Sequence, residues 1–516
     1  VADFTDYTPP GVYVQDESNP IVTATNAPSG LICIVGPARG FQQDTEVIPV
    51  YSNTPGQTPL RNRGLYLDTW QDPVVPGGAP QTRSPWVTRA DGTVLEPSID
   101  YELVVANPSD AGGARNYVVN VVRLSADPDV TETSVDSPNG VADGDTIVVS
   151  YKYADMTYYS PQLVEEYDDA SGLYGEPFTA DGLIASPLSV ATRVAFANGA
   201  TSILTLAVDP GDGDFANQFE AAYAKILTDY RVSTLVPLFV DGLDQNGTVT
   251  ETSTKDSFDT LANNLQAHCE RAAGAGYARI GFLGAPENYD DSDYTFSVVA
   301  TRRASKRVVL GYPNILNLSV NGKALEVGGY YLATAYAALA VSDQVNRGLT
   351  KRIVQGFAGI PNSVQQKMTP AFKDDLSKSG VSVAETDRLG RLSIRHGVTT
   401  KVNDLLSREV SLVRIADAMY QTVQGGLDAA ELIGEPIDAE MTTRVKGVIS
   451  GILERAVSDE LIVSWQDLKV RQLVLPSGDP TVIECKFAYK AAVPLNYINV
   501  GFRIDLNNGA ITETAA

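Results

Sequence analysis

The stretch Gly211-Asp-Gly-Asp-Phe-Ala216 has the G-x-G-x-x-A spacing of a dinucleotide-binding turn, set between a strand pattern and a helix pattern. In such a turn the glycines admit a pyrophosphate to the backbone, and a helix N-terminus holds its charge. Here Asp209, Asp212 and Asp214 crowd the turn with negative charge and would repel that ligand. Asp214 reads better as a helix N-cap, where the helix dipole favours a carboxylate. The same aspartates miss the D-x-[DN]-x-[DN]-G register of a calcium loop. Asp290-Asp-Ser-Asp293 reads as a solvated loop and helix cap. His268 and Cys269 are adjacent on a predicted helix, so their side chains diverge by about 100° and make a poor base and nucleophile pair. Cys269 reads as a small buried hydrophobe. His396, in Arg395-His-Gly-Val, has no acidic or nucleophilic partner that the sequence identifies. No P-loop, G-x-S-x-G or H-E-x-x-H occurs. No catalytic, cofactor-binding or metal-binding residue is assigned, and no cofactor is expected.

Composition narrows the class further. At 516 residues, about three domains are expected. The formal net charge of −24 argues against direct nucleic-acid binding, because phosphate contacts need clustered Lys and Arg. It suits a soluble surface and partners that carry basic patches. The three cysteines, Cys33, Cys269 and Cys485, are far apart and odd in number, so neither a disulfide framework nor a CxxC metal site is expected. The start, V-A-D-F-T-D-Y, lacks an apolar h-region, so no signal peptide is expected. The longest apolar run, about Tyr330 to Val341, is too short and too rich in Ala and Tyr to span a bilayer. A reducing cytoplasm is the expected setting.

The elements follow from periodicity. Leu31-Ile-Cys-Ile-Val-Gly36 is a continuous apolar run, as in a strand buried on both faces. From about Asn53 to Tyr153, short alternating strands recur at Asp100–Val105, Tyr117–Leu124 and Thr146–Tyr153, separated by turns such as Asp91-Gly92 and Asp143-Gly144. This reads as a small all-β module inserted in something else, because α/β patterning follows it. From Leu163 to Gly356, strands at Ser202–Val208, Leu235–Val240, Arg279–Leu283 and Arg307–Leu310 alternate with helices. The helical faces are Leu188/Ala191/Val194/Ala195, Phe215/Phe219/Ala222/Ile226 and Phe258/Leu261/Leu265/Ala272. That alternation predicts a mostly parallel sheet covered by helices, joined by Leu31–Val35 from before the insertion. The last third reads as α+β. One helix spans Arg408–Gln424, with Leu412, Ala416, Met419 and Val423 aligned. A second runs to Val457 from Asp438 as N-cap, with Met441, Val445, Val448 and Ile452 aligned. The many charges on these helices, Arg414, Asp417 and Arg444 among them, read as a solvated face or as groups that set register between subunits.

Two strands lack an obvious local partner. One is Gly11-Val12-Tyr13-Val14-Gln15 near the start. The other is Tyr497-Ile498-Asn499-Val500-Gly501-Phe502-Arg503-Ile504 near the end, a strict period-two alternation. Such strands leave backbone donors and acceptors open, and either dock on their own sheet or complete a neighbour's. The alternating strand Val482–Tyr489, with Ile483, Cys485, Phe487 and Tyr489 on one side, is the expected acceptor. Residues 507–516 read as a disordered tail.

At this point the chain resembles a contractile tail sheath protein of bacteriophages and related injection machines. The likeness is carried by Thr8-Pro-Pro-Gly-Val-Tyr-Val14 followed by Leu31-Ile-Cys-Ile-Val-Gly-Pro-Ala-Arg-Gly40. It continues in Leu173-Tyr-Gly175 before the helix that ends Phe196-Ala-Asn-Gly199, and in Leu392-Ser-Ile-Arg-His-Gly-Val-Thr-Thr400. Arg408-Glu-Val-Ser-Leu-Val-Arg-Ile-Ala416, opening the closing pair of helices, completes it. One departure is Lys351-Arg-Ile-Val354, where sheath proteins often keep an Ala-Pro pair. The resemblance implies an N-terminal arm over 1–20, an outer α/β domain over 21–52 and 161–356, and a β-rich peripheral insertion over 53–160. It implies an inner core α+β domain over 357–494 and a C-terminal arm over 495–516. It also implies a non-enzymatic subunit of a virion's contractile tail, assembled in the host cytoplasm. Copies would share strands in a helical stack of hexameric rings around an inner tail tube protein, with baseplate and tail terminator proteins at the ends. Neither nucleic-acid contact nor membrane insertion is implied. The competing readings are a nucleotide-dependent α/β enzyme using the 211–216 turn, and a secreted surface-layer or adhesin subunit, which needs an export route not seen here.

Overall fold

The computed structural model describes residues 30–38, 41–50, 60, 85–96, 99–105, 117–121, 141, 144–154, 159–178, 182–208, 215–238, 241–243, 249–251, 255–285, 296–320, 322–474, 478–496, 502–504 and 511–513. Its largest element is an eight-stranded sheet. The strands lie in the order Leu392–Ile394, Val381–Thr386, Val308–Tyr312, Ile280–Gly284, Val232–Pro237, Leu31–Pro37, Ile203–Val208 and Gln162–Val164. The six inner strands are mutually parallel, and the two short edge strands run antiparallel. The apolar run beginning at Leu31 sits between Val232–Pro237 and Ile203–Val208. It joins the sheet from before the β module, as its unbroken hydrophobicity predicts.

Four of the helices covering this sheet pack in two pairs. Pro187–Ala197 packs on Tyr330–Val341, and Phe215–Lys225 packs on Lys255–Gly274. The predicted faces are buried as expected at Leu188, Ala191, Val194, Phe219, Ala222, Ile226, Phe258, Leu261, Leu265 and Ala272. Asn198 is the C-cap of the first of these helices, and Gly199 follows at φ +90°, a left-handed turn that favours glycine. Tyr330–Val341 is apolar on every side and is almost wholly buried. Its start presses on the sheet at Gly284, where a Cβ would lie 2.0 Å from the Gly329 carbonyl oxygen.

A second core belongs to the β module. Thr146–Ala154 pairs antiparallel with both Phe41–Pro49 and Trp86–Arg89, and Tyr101–Val105 pairs with Tyr117–Val121. Ile48, Leu60, Val87, Tyr101, Val119, Ile147, Val149 and Tyr151 bury together between them. Gly92 and Gly144 take positive φ at the predicted Asp-Gly turns. Strand Phe41–Pro49 precedes the 53–160 span yet pairs within the β module, and Val381–Thr386 follows residue 356 yet extends the main sheet.

A third core joins helices Val410–Ala429 and Met441–Ser458 to a two-stranded ribbon, Ile462–Gln472 and Ile483–Ala491. Several expectations here are corrected. The first helix is preceded by a separate turn, Leu405–Arg408, and Glu409 between them is extended at φ −82° and ψ 121°. Its core face carries Ile415, while Ala416 is half-buried. The second helix begins after Glu440, so Asp438 is not its N-cap. The Asp438 carboxylate instead accepts from the Glu440 N–H at 2.9 Å. The buried face is Met441, Val445, Ile449, Leu453 and Ala456, with Ile452 packed against it. The tail is not wholly irregular either, since Ile511–Glu513 pairs antiparallel with Phe502–Ile504.

Candidate functional site: an open ribbon and a histidine–glutamate junction

The ribbon is amphipathic by alternation. On Ile483–Ala491, the side chains of Ile483, Cys485, Phe487 and Tyr489 pack toward the helices, while Lys486, Ala488 and Lys490 are exposed. Trp465, Leu468 and Val470 of the facing strand share the inner side. Cys485 stands opposite Val470, and Tyr489 opposite Trp465. Phe487 and Tyr489 bring their ring centroids to 6.4 Å. The facing strand breaks register between Gln466 and Lys469, where Asp467 takes φ +57° in the left-handed region that Asp tolerates. Among the described residues, the two strands pair only with each other, so each has an outer edge with no strand beside it. The inner face is half-buried rather than closed, and Val463 and Val474 stand exposed at the ribbon's ends.

The remaining predicted positions fall as follows. Gly11, Val12, Tyr13, Val14, Gln15, Tyr497, Ile498, Asn499 and Val500 lie outside the described residues. Phe502 and Ile504 lie in a three-residue strand opposite Glu513 and Ile511. The loop at 209–214 and the run at 286–295 also lie outside the described residues, so neither Asp cluster is placed. Burial pushes the Cys269 thiol up to about 12 and the Cys485 thiol up to about 11, which leaves both unreactive at neutral pH. His268 is buried, and burial together with the nearby Arg279 charge pushes it down to about 3. It therefore stays neutral beside Arg279, whose guanidinium donates to the carbonyls of Ile226, Leu227 and Asp229. Among the described residues no group of three or more metal-ligating side chains comes together, and no helix is long and apolar enough to cross a membrane.

His396 has the acidic partner that the sequence does not reveal. Its Nε2 lies 2.8 Å from Glu409 Oε1, and the Glu409 side chain is 2% exposed. Burial pushes the Glu409 carboxyl up, but hydrogen bonding and charge from His396 outweigh it and hold the carboxyl below its ordinary value. The two residues are thirteen apart and meet because Val398 bridges Glu409 across the break between the two helical segments. That break is not encoded by proline or glycine, so periodicity alone runs one helix through it. A second polar contact ties this helix to the main sheet: the buried Arg307, just before strand Val308–Tyr312, pairs with Asp417.

The fold recurs in known structures. A chain of the anti-feeding prophage baseplate shares it, with a TM-score of 0.51 at 15% identity, covering 68% of this chain and 89% of that one. A chain of the contracted helical sheath of the same prophage aligns over 97% of this chain and 100% of that one, with a TM-score of 0.49 at 13% identity. In sequence, the tail sheath protein of Mycobacterium phage Bxz1 is 29% identical over 379 residues. That match takes in 72% of this chain and spans 60% of the phage protein's length. No family model matches the chain. The resemblance to contractile tail sheath proteins read from the motifs is borne out by this likeness to a tail sheath protein.

Proposed function

We propose that this chain is the structural subunit of a contractile tail sheath, and that neighbouring copies join by adding terminal strands to the ribbon. The observation that carries this reading is the ribbon itself: two strands with an apolar inner face only half covered, and two outer edges without a strand partner among the described residues. A chain that left these edges open in its final state would expose a template for pairing. A strand from another copy satisfies the backbone groups and covers the face in one step, with alternate side chains giving specificity. The acceptor edge is Ile483–Ala491, which lacks the irregularity at Asp467. The donors are Gly11–Gln15 and Tyr497–Asp505. Head-to-tail contacts that do not close on themselves generate a helical stack, here built of rings of six around an inner tube. Strand sharing keeps copies linked while their bodies rotate, and contraction would drive the tube through a cell envelope. The extended sheath is then a kinetically trapped state, and no nucleotide is consumed on firing.

In this arrangement the helix pair and ribbon form the inner unit, the eight-stranded sheet the outer one, and the β module a peripheral decoration. Baseplate and terminator proteins bound the two ends, and the assembled particle is part of a virion. The test is truncation. Full-length protein should form tubes or long polymers by electron microscopy and sedimentation, and chains lacking residues 1–20 or 495–516 should stay monomeric with unchanged helix content. Truncated chains that polymerise as well as the full chain would sink the reading.

A further inference from the structure

The last segment before the terminal strands is Ala492-Val493-Pro494-Leu495-Asn496, and its exposure alternates. Val493 and Leu495 are exposed, at 58% and 77%, while Pro494 and Asn496 are half-buried against the body. Pro494 lies over Gly348, where a Cβ would come within 3.2 Å of the Pro494 Cβ. Asn496 reaches the His396–Glu409 pair: its Nδ2 is 3.5 Å from His396 Nε2, and its amide helps to hold the Glu409 carboxyl below its ordinary value. Glu409 is an unusual place for a chain end to be fastened. Its carboxylate is almost wholly buried, and it also lies 3.4 Å from Arg408 Nε. Its backbone is fixed as the extended joint between two helical segments and by its bridge to Val398. A buried carboxylate needs its acceptor sites filled, and hydrogen bonds to it are of the stronger, charge-assisted kind. His396 fills one of them at 2.8 Å, and Asn496 stands beside that contact.

We propose that Asn496 is the anchor of the C-terminal segment, a positioning residue that fixes where and in which direction the last twenty residues leave the body. The assembly consequence rests on the sheath reading above; the anchor itself rests only on this geometry. Phe502 lies six positions beyond Asn496, a span of at most about 20 Å when extended. Fixing the root at Asn496 therefore limits which neighbouring ribbon the strand can reach. It also raises the strand's effective concentration there, because an unanchored segment samples a larger volume. The Asn496 Oδ1 has no partner among the described residues, so the contact is held by the donor side of the amide alone. Such an anchor can release and re-form as a segment changes direction.

The experiment compares full-length wild type with Asn496→Ala and Asn496→Asp, and uses Leu495→Asn as the outward-facing control. Hydrogen exchange of the peptide covering residues 492–501 is read on unassembled protein, and polymerisation is followed by light scattering. Both Asn496 variants should raise exchange in that peptide several-fold, as for loss of one ordinary side-chain hydrogen bond. The peptide covering 441–458 and the Tm should not change, and polymerisation should slow several-fold. The Leu495 control should leave exchange at wild-type level. Unchanged exchange in both Asn496 variants overturns the anchor. Raised exchange with wild-type polymerisation overturns its positioning role. A wild-type chain that never polymerises counts against the sheath reading and the assembly half of the proposal together, while exchange still decides the anchor.

Discussion

In the eight-stranded sheet, Ile203–Val208 and Ile280–Gly284 bury every residue, whereas no residue of Ile483–Ala491 in the ribbon is fully buried. The edges differ in the same sense. The main sheet ends on each side in a strand of three residues, Leu392–Ile394 and Gln162–Val164. Beside the first of these, Glu385 binds three cationic side chains across the sheet's end. Short strands and fixed charges are the usual means of blunting an edge. The ribbon's strands, at eleven and nine residues, are among the longest in the described chain, and their outer edges have no strand beside them there. On the strand-sharing reading, the main sheet is complete within one chain and the ribbon is left for a second copy to finish. Substitutions in the two regions should therefore separate stability from assembly.

Two substitutions share the largest expected effect, and the first lies where the helix under the ribbon is tied to the main sheet. Replacing Asp417 with alanine leaves Arg307 buried without its counter-charge. The loss should be about 3–5 kcal/mol, read by urea unfolding. Adding Arg307→Met should restore most of it, because the penalty belongs to the unpaired charge rather than to the pair. Recovery of less than half would mean that the contact acts through packing.

Next comes Phe282→Ala in the main sheet, a fully buried ring. It should cost about 3–5 kcal/mol of unfolding free energy. Polymerisation of the fraction that remains folded should be normal. Phe487→Ala in the ribbon reverses the pattern. That ring is half-buried in the single chain, so its loss should cost about 1 kcal/mol in urea unfolding. On the strand-sharing reading, polymer yield should nevertheless fall far more than for Phe282→Ala, since that reading has a second copy cover this face. Equal assembly defects in the two variants would erase the distinction between the regions.

The contrast also explains which features are legible in the sequence. Leu31–Val35 declares its central place through unbroken hydrophobicity, because a strand covered on both faces needs apolar side chains at every position. The ribbon strand at Ile483 declares its one-sided burial through alternation. The helix break at Glu409 leaves no such trace: Arg408-Glu-Val-Ser has neither proline nor glycine, and the break is imposed by the tertiary bridge to Val398. With the break hidden, the His396–Glu409 pair is hidden too, since a continuous helix aims Glu409 elsewhere. Asp438 misleads for a related reason. Its carboxylate does cap a backbone N–H, but in the turn before the helix rather than at its first residue. Strand Phe41–Pro49 shows a third limit. Its polar sequence, Phe-Gln-Gln-Asp-Thr-Glu-Val-Ile-Pro, acquires its pairing only when Thr146–Ala154 arrives from about a hundred residues later.

The smallest expected effect sharpens the comparison of edges. Glu385 is paired with Lys351 at 2.7 Å, Lys373 at 2.8 Å and Arg395 at 3.1 Å. Burial pushes its carboxyl up, but hydrogen bonds from Lys351 and Lys373 outweigh that and bring it down to about 2. The folded state therefore holds this proton more weakly than the unfolded chain, whose ordinary value is 4.5. Stability from Glu385 is fully present above pH 4.5 and is lost as the pH falls toward 2. Glu385→Gln removes that contribution at neutral pH and has nothing left to remove in acid. The Tm difference between wild type and the variant should thus be modest at neutral pH and should shrink steadily between pH 4.5 and pH 2. Because Lys351 is largely exposed, added salt should narrow the neutral-pH difference as well. A Tm difference that persists unchanged into acid would assign Glu385 to packing and leave the backbone pairing of Lys351–Val354 with Leu392–Ile394 as what closes this edge.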